Sequence, residues 1–303
     1  MNKSLRFGVF TGQVVSFKEL VKRWKYCEEV GFDSVWIADH FAHWNKGLEP
    51  FWESWTLLSA LACNTTKIRI GTSVTNMSWR HPAWLARQAL TIDHISNGRL
   101  EIGLGSGRHG TSEQKKLGTE DWLDRERVER FQEYVEIIDL LLRNPTTTYS
   151  GKYYQLNEVN MGPECVQKPR PPILIGTKGT KMLMIVSKIA DTWNCIANFD
   201  ENMEDLSFKI IKEKNNLLDK YCSKIGRDPK EIHRSVMIYE NKAFHDFNSM
   251  ILYNSPDIIE AIVKKYTKIG FNEIIIPYPI VKKEIPKFEK IAQDVIPELR
   301  EKY

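Results

Sequence analysis

The chain has 303 residues, 42% apolar and 27% charged, the make-up of a globular protein with a sizeable core, which excludes disorder as the main state. Its 43 Lys and Arg against 39 Asp and Glu leave a formal charge of +4, and no basic block or aromatic-studded basic stripe marks a nucleic-acid partner. The first residues run straight into a strand-like stretch, Leu5 to Phe10, without a signal-peptide core, and no later run reaches transmembrane length, so a cytoplasmic chain without a membrane partner is expected. A helical stripe follows, with Phe17, Leu20, Val21, Trp24 and Cys27 on one face. Strand-like runs recur at Ser34 to Ala38, Ile68 to Thr72 and Leu100 to Leu104, then a second stripe at Val128, Phe131, Val135, Ile138 and Leu142. The stretch from Asn144 to Pro172, about 144–172, interrupts the pattern with Tyr149, Tyr153, Tyr154 and a Pro-rich end, and reads as an insertion folded onto the body before the fifth strand. Strand-like runs resume at Ile173 to Ile175, Thr192 to Cys195, Ser235 to Tyr239 and Glu273 to Ile276. Ile258, Ile259, Ile262, Val263 and Tyr266 mark a helix before the last of these, and Ile285, Phe288, Ile291, Val295 and Leu299 a closing one after it.

Strands alternating with helices predict an α/β protein, and the number of strands suits a (β/α)8 TIM barrel spanning 1–303 as one domain. In such a barrel the site forms at the C-terminal ends of the strands. Those ends carry Asp39, His40, Phe41 and Trp44 after strand two; Ser73, Val74 and Thr75 after strand three; Gly105, Ser106, Gly107 and Arg108 after strand four; and Gly176, Thr177, Lys178 and Gly179 after strand five. Gly103, Gly105 and Gly107 alternate, which either bares a strand face to a flat ligand or serves a tight turn. Gly105 to Gly110 also matches a dinucleotide loop, but arrives after three strands and opens no clear helix. Gly176 to Thr180 lies between a strand and a helical run, which makes an anion site or an ordinary helix cap by Thr177 or Thr180. Trp36, Phe41, Trp44, Phe51, Trp52 and Trp55 could wall a ring, with core packing as the default. His40 beside Asp39 suits proton transfer near neutral pH. Five scattered cysteines with no Cys-x-x-Cys pair, and His40 with His43 lacking a third ligand, predict a reduced, metal-free chain. Counting back by twos from Gly71 and Gly103 puts Arg69 and Glu101 side by side in the barrel, where an ion pair is expected.

Trp36 to Phe41, Gly71 to Thr75, Arg80 to Ala83 with Leu85 to Ala89, Ser96 to Leu100, Gly103 to Gly107 and Gln167 to Gly176 together resemble the luciferase-like flavin-dependent oxidoreductases over nearly the whole chain. The resemblance implies a barrel that binds reduced FMN or the deazaflavin coenzyme F420. It implies the phosphate at Gly176, Thr177, Lys178, Gly179 and Thr180, and the ring over Ser73, Val74, Thr75 and the turn Gly105, Ser106, Gly107, with His40 near its reactive edge. It further implies a cis peptide bond between Ser73 and Val74, and a homodimer. Asp39, His40, Phe41, Trp44 and the Glu53 to Trp55 region look closer to the deazaflavin branch, whose sugar-phosphate dehydrogenases pair such a His and Trp with an acid. This chain has Arg108 where that acid falls, which argues against that substrate; Glu113, five residues on, can stand in for it.

The leading reading is therefore hydride transfer between a small-molecule substrate and a flavin-type cofactor, with the deazaflavin favoured. A monooxygenase using reduced FMN and oxygen is the alternative within the fold. A barrel glycosidase with Asp39 and Glu240 as its carboxylates and a non-catalytic flavin-binding relative stand behind these.

Overall fold

In the computed structural model the described residues are 4–42, 50–200, 202–240, 250–279 and 281–303. The first half contains β1 (Arg6–Phe10), α1 (Phe17–Glu29), β2 (Ser34–Ile37), α2 (Ser54–Ala62), β3 (Arg69–Thr72), β4 (Thr75–Asn76), α3 (Pro82–Ile95), β5 (Leu100–Gly105), α4 (Ser112–Leu117) and α5 (Asp124–Arg143). A hairpin, β6 (Thr146–Ser150) and β7 (Gln155–Asn160), precedes β8 (Ile173–Gly176), α6 (Thr180–Ile189), β9 (Thr192–Phe199), α7 (Phe208–Lys224), β10 (His233–Glu240), α8 (Pro256–Thr267) and β11 (Glu273–Pro277). The chain ends in α9 (Ile285–Lys290) and α10 (Ile296–Lys302).

Every strand of the main sheet pairs in parallel: eight follow the order β3-β2-β1-β11-β10-β9-β8-β5, a β3–β5 pairing closes the ring, and the short β4 pairs with β5. This is the expected TIM barrel. Its strands read as apolar runs because helices cover their outer faces while side chains fill the interior. Trp36 occupies that interior fully buried, and glycines admit it: a Cβ on Gly71 would lie 2.7 Å from its ring and one on Gly8 3.0 Å from Nε1. Below Trp36, Ser34 accepts from its Nε1 and donates to Glu273, each at 2.9 Å. The expected Arg69–Glu101 ion pair is present, and Arg6 joins it at 2.7 Å from Glu101 and 3.3 Å from Glu273. Arg69 keeps 30% of its side chain exposed, so this pair sits at the rim of the barrel floor.

The insertion differs in detail from a plain folded-over segment. It holds the antiparallel β6–β7 hairpin, whose turn is fastened to α5 by backbone N–H groups of Lys152, Tyr153 and Tyr154 donating to Glu133. The closing helix is likewise not continuous. A π-helical turn at Ile291–Val295 separates α9 from α10, next to Pro297, which has no N–H to continue the ladder. Arg300 then ties α10 to the α1–β2 turn, donating to Gly31 O at 2.8 Å and to Asp33 at 2.6 Å. No helix among the described residues is long and apolar enough to cross a membrane.

Candidate active site

A cavity of about 570 Å³ opens over the C-terminal strand ends, within the usual range for small-ligand sites. Strand β1 contributes Phe10, the end of β2 Ala38 to His40, the β3–β4 junction Ser73 to Asn76, and the end of β5 Gly105, Gly107 and Arg108. Ile196 and Asn198 of β9, Met237 and Tyr239 of β10, and Thr111 and Glu113 complete it. The Ser73–Val74 peptide is cis, as the resemblance implied.

His40 and Glu113 meet in this wall, His40 Nδ1 lying 3.1 Å from Glu113 Oε2. Glu113 reaches it from the first turn of α4, whose start is set by a capping box between Thr111 and Gln114. The other carboxylate oxygen accepts from the backbone N–H groups of Phe41 and Ala42. Burial opposes the charge on Glu113, but the His40 hydrogen bond and those amides outweigh it and hold the carboxyl below its ordinary value. An ionised carboxylate only accepts, so Nδ1 of His40 carries the hydrogen, and the proton that can be exchanged belongs to Nε2.

Asp39 is committed elsewhere. Its side chain takes both guanidinium nitrogens of Arg80 at 2.6 and 2.8 Å, Ser54 Oγ at 2.5 Å and Asn76 N at 3.0 Å. Arg80 also binds Glu53, the N-cap of α2. Burial works against the charge of Arg80, and Asp39 and Glu53 more than compensate, raising its pKa. This network locks the end of β2, and with it the backbone that carries His40. Glu240 is similarly occupied, accepting from the backbone N–H groups of Ile251 at 2.8 Å and Leu252 at 3.0 Å. Asp39 and Glu240 thus do not form the carboxylate pair that a glycosidase would need.

The glycines of β5 prove to make room for the neighbouring strand. A Cβ on Gly103 would sit 1.7 Å from Thr72 O, and one on Gly105 would sit 2.5 Å from Val74 Cγ2. Gly107 has φ +70, the turn-forming conformation open to glycine. Val74 also abuts Gly176, where a Cβ would come within 2.9 Å of Cγ1. Thr75 is buried and spends its hydroxyl on Trp55 Nε1 at 3.1 Å and Thr72 at 2.6 Å. Ser106 adjoins the lining residues Gly105 and Gly107.

The Gly176 to Thr180 loop lies at the N-terminus of α6, held by Thr177 N donating to Asn194 O at 3.0 Å and Trp193 Nε1 donating to Thr177 O at 2.8 Å. Neither threonine caps the helix. Gly179 is the N-cap, Thr177 Oγ1 accepts from Gly179 N, and Thr180 Oγ1 accepts from Lys214 Nζ at 2.6 Å. Burial lowers the pKa of Lys178 and outweighs the opposing influence of Cys195 and Asp205.

Among the described residues the aromatic wall does not form. Trp36 and Trp55 are core residues, while Phe41 and Trp52 are exposed outside the cavity. Trp44 and His43 lie outside the described residues, as does most of the loop that holds them. Among the described residues no group of His, Cys, Asp and Glu is arranged to hold a metal ion. Sequence reading missed Asn198 because it ended the sixth strand of the pattern, β9, at Cys195, and it placed Tyr239 at the end of the seventh strand without assigning it to the site. The parallel register continues through Asn198↔Tyr239, and the period-two alternation Ile196, Asn198 was the available signal.

The model of the luciferase-like monooxygenase family matches residues 5–239, and the chain belongs to that family. A 5,10-methylenetetrahydromethanopterin reductase from Archaeoglobus fulgidus is 33% identical over 62% of this chain and 52% of its own, so the chain spans about half the length of that relative. An F420-dependent glucose-6-phosphate dehydrogenase from Amycolatopsis mediterranei is 25% identical over 93% of this chain and 95% of its own. In fold, the chain superposes on the coenzyme F420 dependent tetrahydromethanopterin reductase from Methanopyrus kandleri with a TM-score of 0.79 at 19% identity, covering 98% of this chain and 100% of that one.

Proposed function

We propose that this protein is a two-electron oxidoreductase that binds coenzyme F420 at the strand ends and passes a hydride between it and a small organic substrate, with His40 handling the accompanying proton. The observation that carries the reading is the His40–Glu113 pair in the cavity wall, a proton-transfer group with a fixed tautomer. The named activities of the curated relatives support the choice of cofactor.

The residues fit such a group. Phe10, Val74, Ile196 and Met237 give the cavity an apolar wall for a flat ring. The uncapped first turn of α6 presents amides to a phosphate, with Lys178 beside them. When bound, the deazaflavin supplies a hydride acceptor and donor that activates oxygen poorly. In this reading Ser73, Val74, Thr75, Gly105, Ser106 and Gly107 shape the ring site, and Gly176, Thr177, Lys178, Gly179 and Thr180 hold the phosphate. Glu113 fixes the His40 ring, Asp39 with Arg80 fixes its backbone, and His40 Nε2 gives or takes the proton. Trp44, a candidate catalytic residue on sequence grounds, lies outside the described residues. The reading takes the chain as a single barrel domain with its insertion, acting in the cytoplasm as a homodimer without nucleic acid. The five cysteines, all free, suit that compartment.

His40→Ala tests the assignment. Turnover of F420 should fall by about 10²-fold or more while F420 affinity stays near its original value; an unimpaired variant removes His40 from the mechanism. A second reading, an FMN-dependent monooxygenase, is favoured by the description of the family model itself, and oxygen-dependent product formation with FMN would establish it.

A further inference from the structure

Two acids line the cavity, and both are spent. Asp39 is held by Arg80, Ser54 and Asn76, and Glu113 by His40 and two backbone amides. Asp121, on the segment that follows, accepts from Gly110 N and pairs with His109 at 2.8 Å. Arg108 also lines the cavity, at its exposed edge, and forms no ion pair or hydrogen bond among the described residues. Its place is set by the turn at Gly107, where any side chain would strike Asn76 Oδ1 at 2.5 Å. Around it the wall is largely apolar, through Phe10, Val74, Ile196 and Met237, and the side-chain amide of Asn198 is likewise without a described partner.

We propose that Arg108 selects a substrate with a compact apolar body and one anionic group, a carboxylate or a phosphate, which it binds at the cavity mouth. A guanidinium pairs with either anion through parallel N–H donors, and the contact strengthens as the apolar body excludes water. The proposal rests on the hydride-transfer reading in placing the substrate in this cavity.

The test uses the full chain with and without F420, and benzoate, phenyl phosphate and the neutral benzamide as probes, with affinities read by calorimetry. The wild type should bind benzoate or phenyl phosphate at least about tenfold more tightly than benzamide, and the tighter of the two anions identifies the group. Arg108→Gln should abolish that preference and leave the affinities for benzamide and F420 unchanged, while Arg108→Lys should keep part of it. Equal binding of all three probes, no binding of either anion, or an Arg108→Gln effect on F420 rather than on the anions would overturn the proposal. A protein that takes up no F420 contradicts the hydride-transfer reading instead, and the probes on the unloaded protein still decide the role of Arg108.

Discussion

His40 reaches Glu113 across more than seventy residues of chain, and the contact depends on two local devices that work independently. The Asp39–Arg80 pair fixes the backbone at the end of β2, and the Thr111 capping box fixes the helix turn that presents Glu113. Glu113→Gln keeps an acceptor for Phe41 and Ala42 and removes the charge. Its turnover should fall by about tenfold, less than for His40→Ala, because the ring loses its orienting anion and keeps its proton site. The same substitution has a stability signature. A carboxyl whose pKa is lowered on folding contributes stability that is fully present above its ordinary unfolded value and is lost as pH falls through the lowered folded value. Melting temperatures of wild type and Glu113→Gln should therefore differ at neutral pH and converge in acid; a difference that does not change with pH would contradict the ionised pair. His40 was legible from its place after an apolar run. Arg80 as the clamp on Asp39 was not, because a short helical turn and a change of chain direction bring it there, and neither leaves a periodic signal.

At the level of elements, the meeting of β3 and β5 is the tightest feature near the site. Gly103 lies against Thr72 O with no space for a Cβ, so Gly103→Ala must push two paired strands apart. Urea unfolding should show a loss of about 2–4 kcal/mol, and a loss below about 0.5 kcal/mol, the range of neutral surface changes, would contradict the close approach. The barrel strands were readable because both faces of each are covered and the residues form continuous apolar runs. The β6–β7 hairpin was not: its strands are largely exposed, and Thr-rich polar sequence carries little alternation to detect. The extension of β9 past Cys195 is held by its pairing with β10, and only the short alternation Ile196, Asn198 marks it in the sequence. It is also what brings Asn198 into the cavity.

The whole molecule has a polar floor and an apolar-walled mouth at opposite ends of one barrel. On the floor, Glu101 is buried between Arg6 and Arg69, and their charges keep its pKa low against the cost of burial. Glu101→Ala would leave Arg69 without its carboxylate and Arg6 with Glu273 alone, and unfolding should show a loss of about 1–3 kcal/mol; a change near zero would mean that the partly exposed guanidinium groups are satisfied by water and their remaining partners. At the mouth, the strand ends and the first turn of α6 are where we propose that the ligand binds. The family, the barrel and the Arg69–Glu101 pair could be read from the sequence, whereas the joining of Arg6 and Glu273 to that pair emerged only once the strands were closed into register. The most direct test of the central claim is a titration of the protein with F420 and with FMN under identical conditions, oxygen excluded. The account predicts that F420 binds more tightly than FMN and that the bound cofactor exchanges a hydride without oxygen. Tighter binding of FMN, with product formed only when oxygen is admitted, would contradict it.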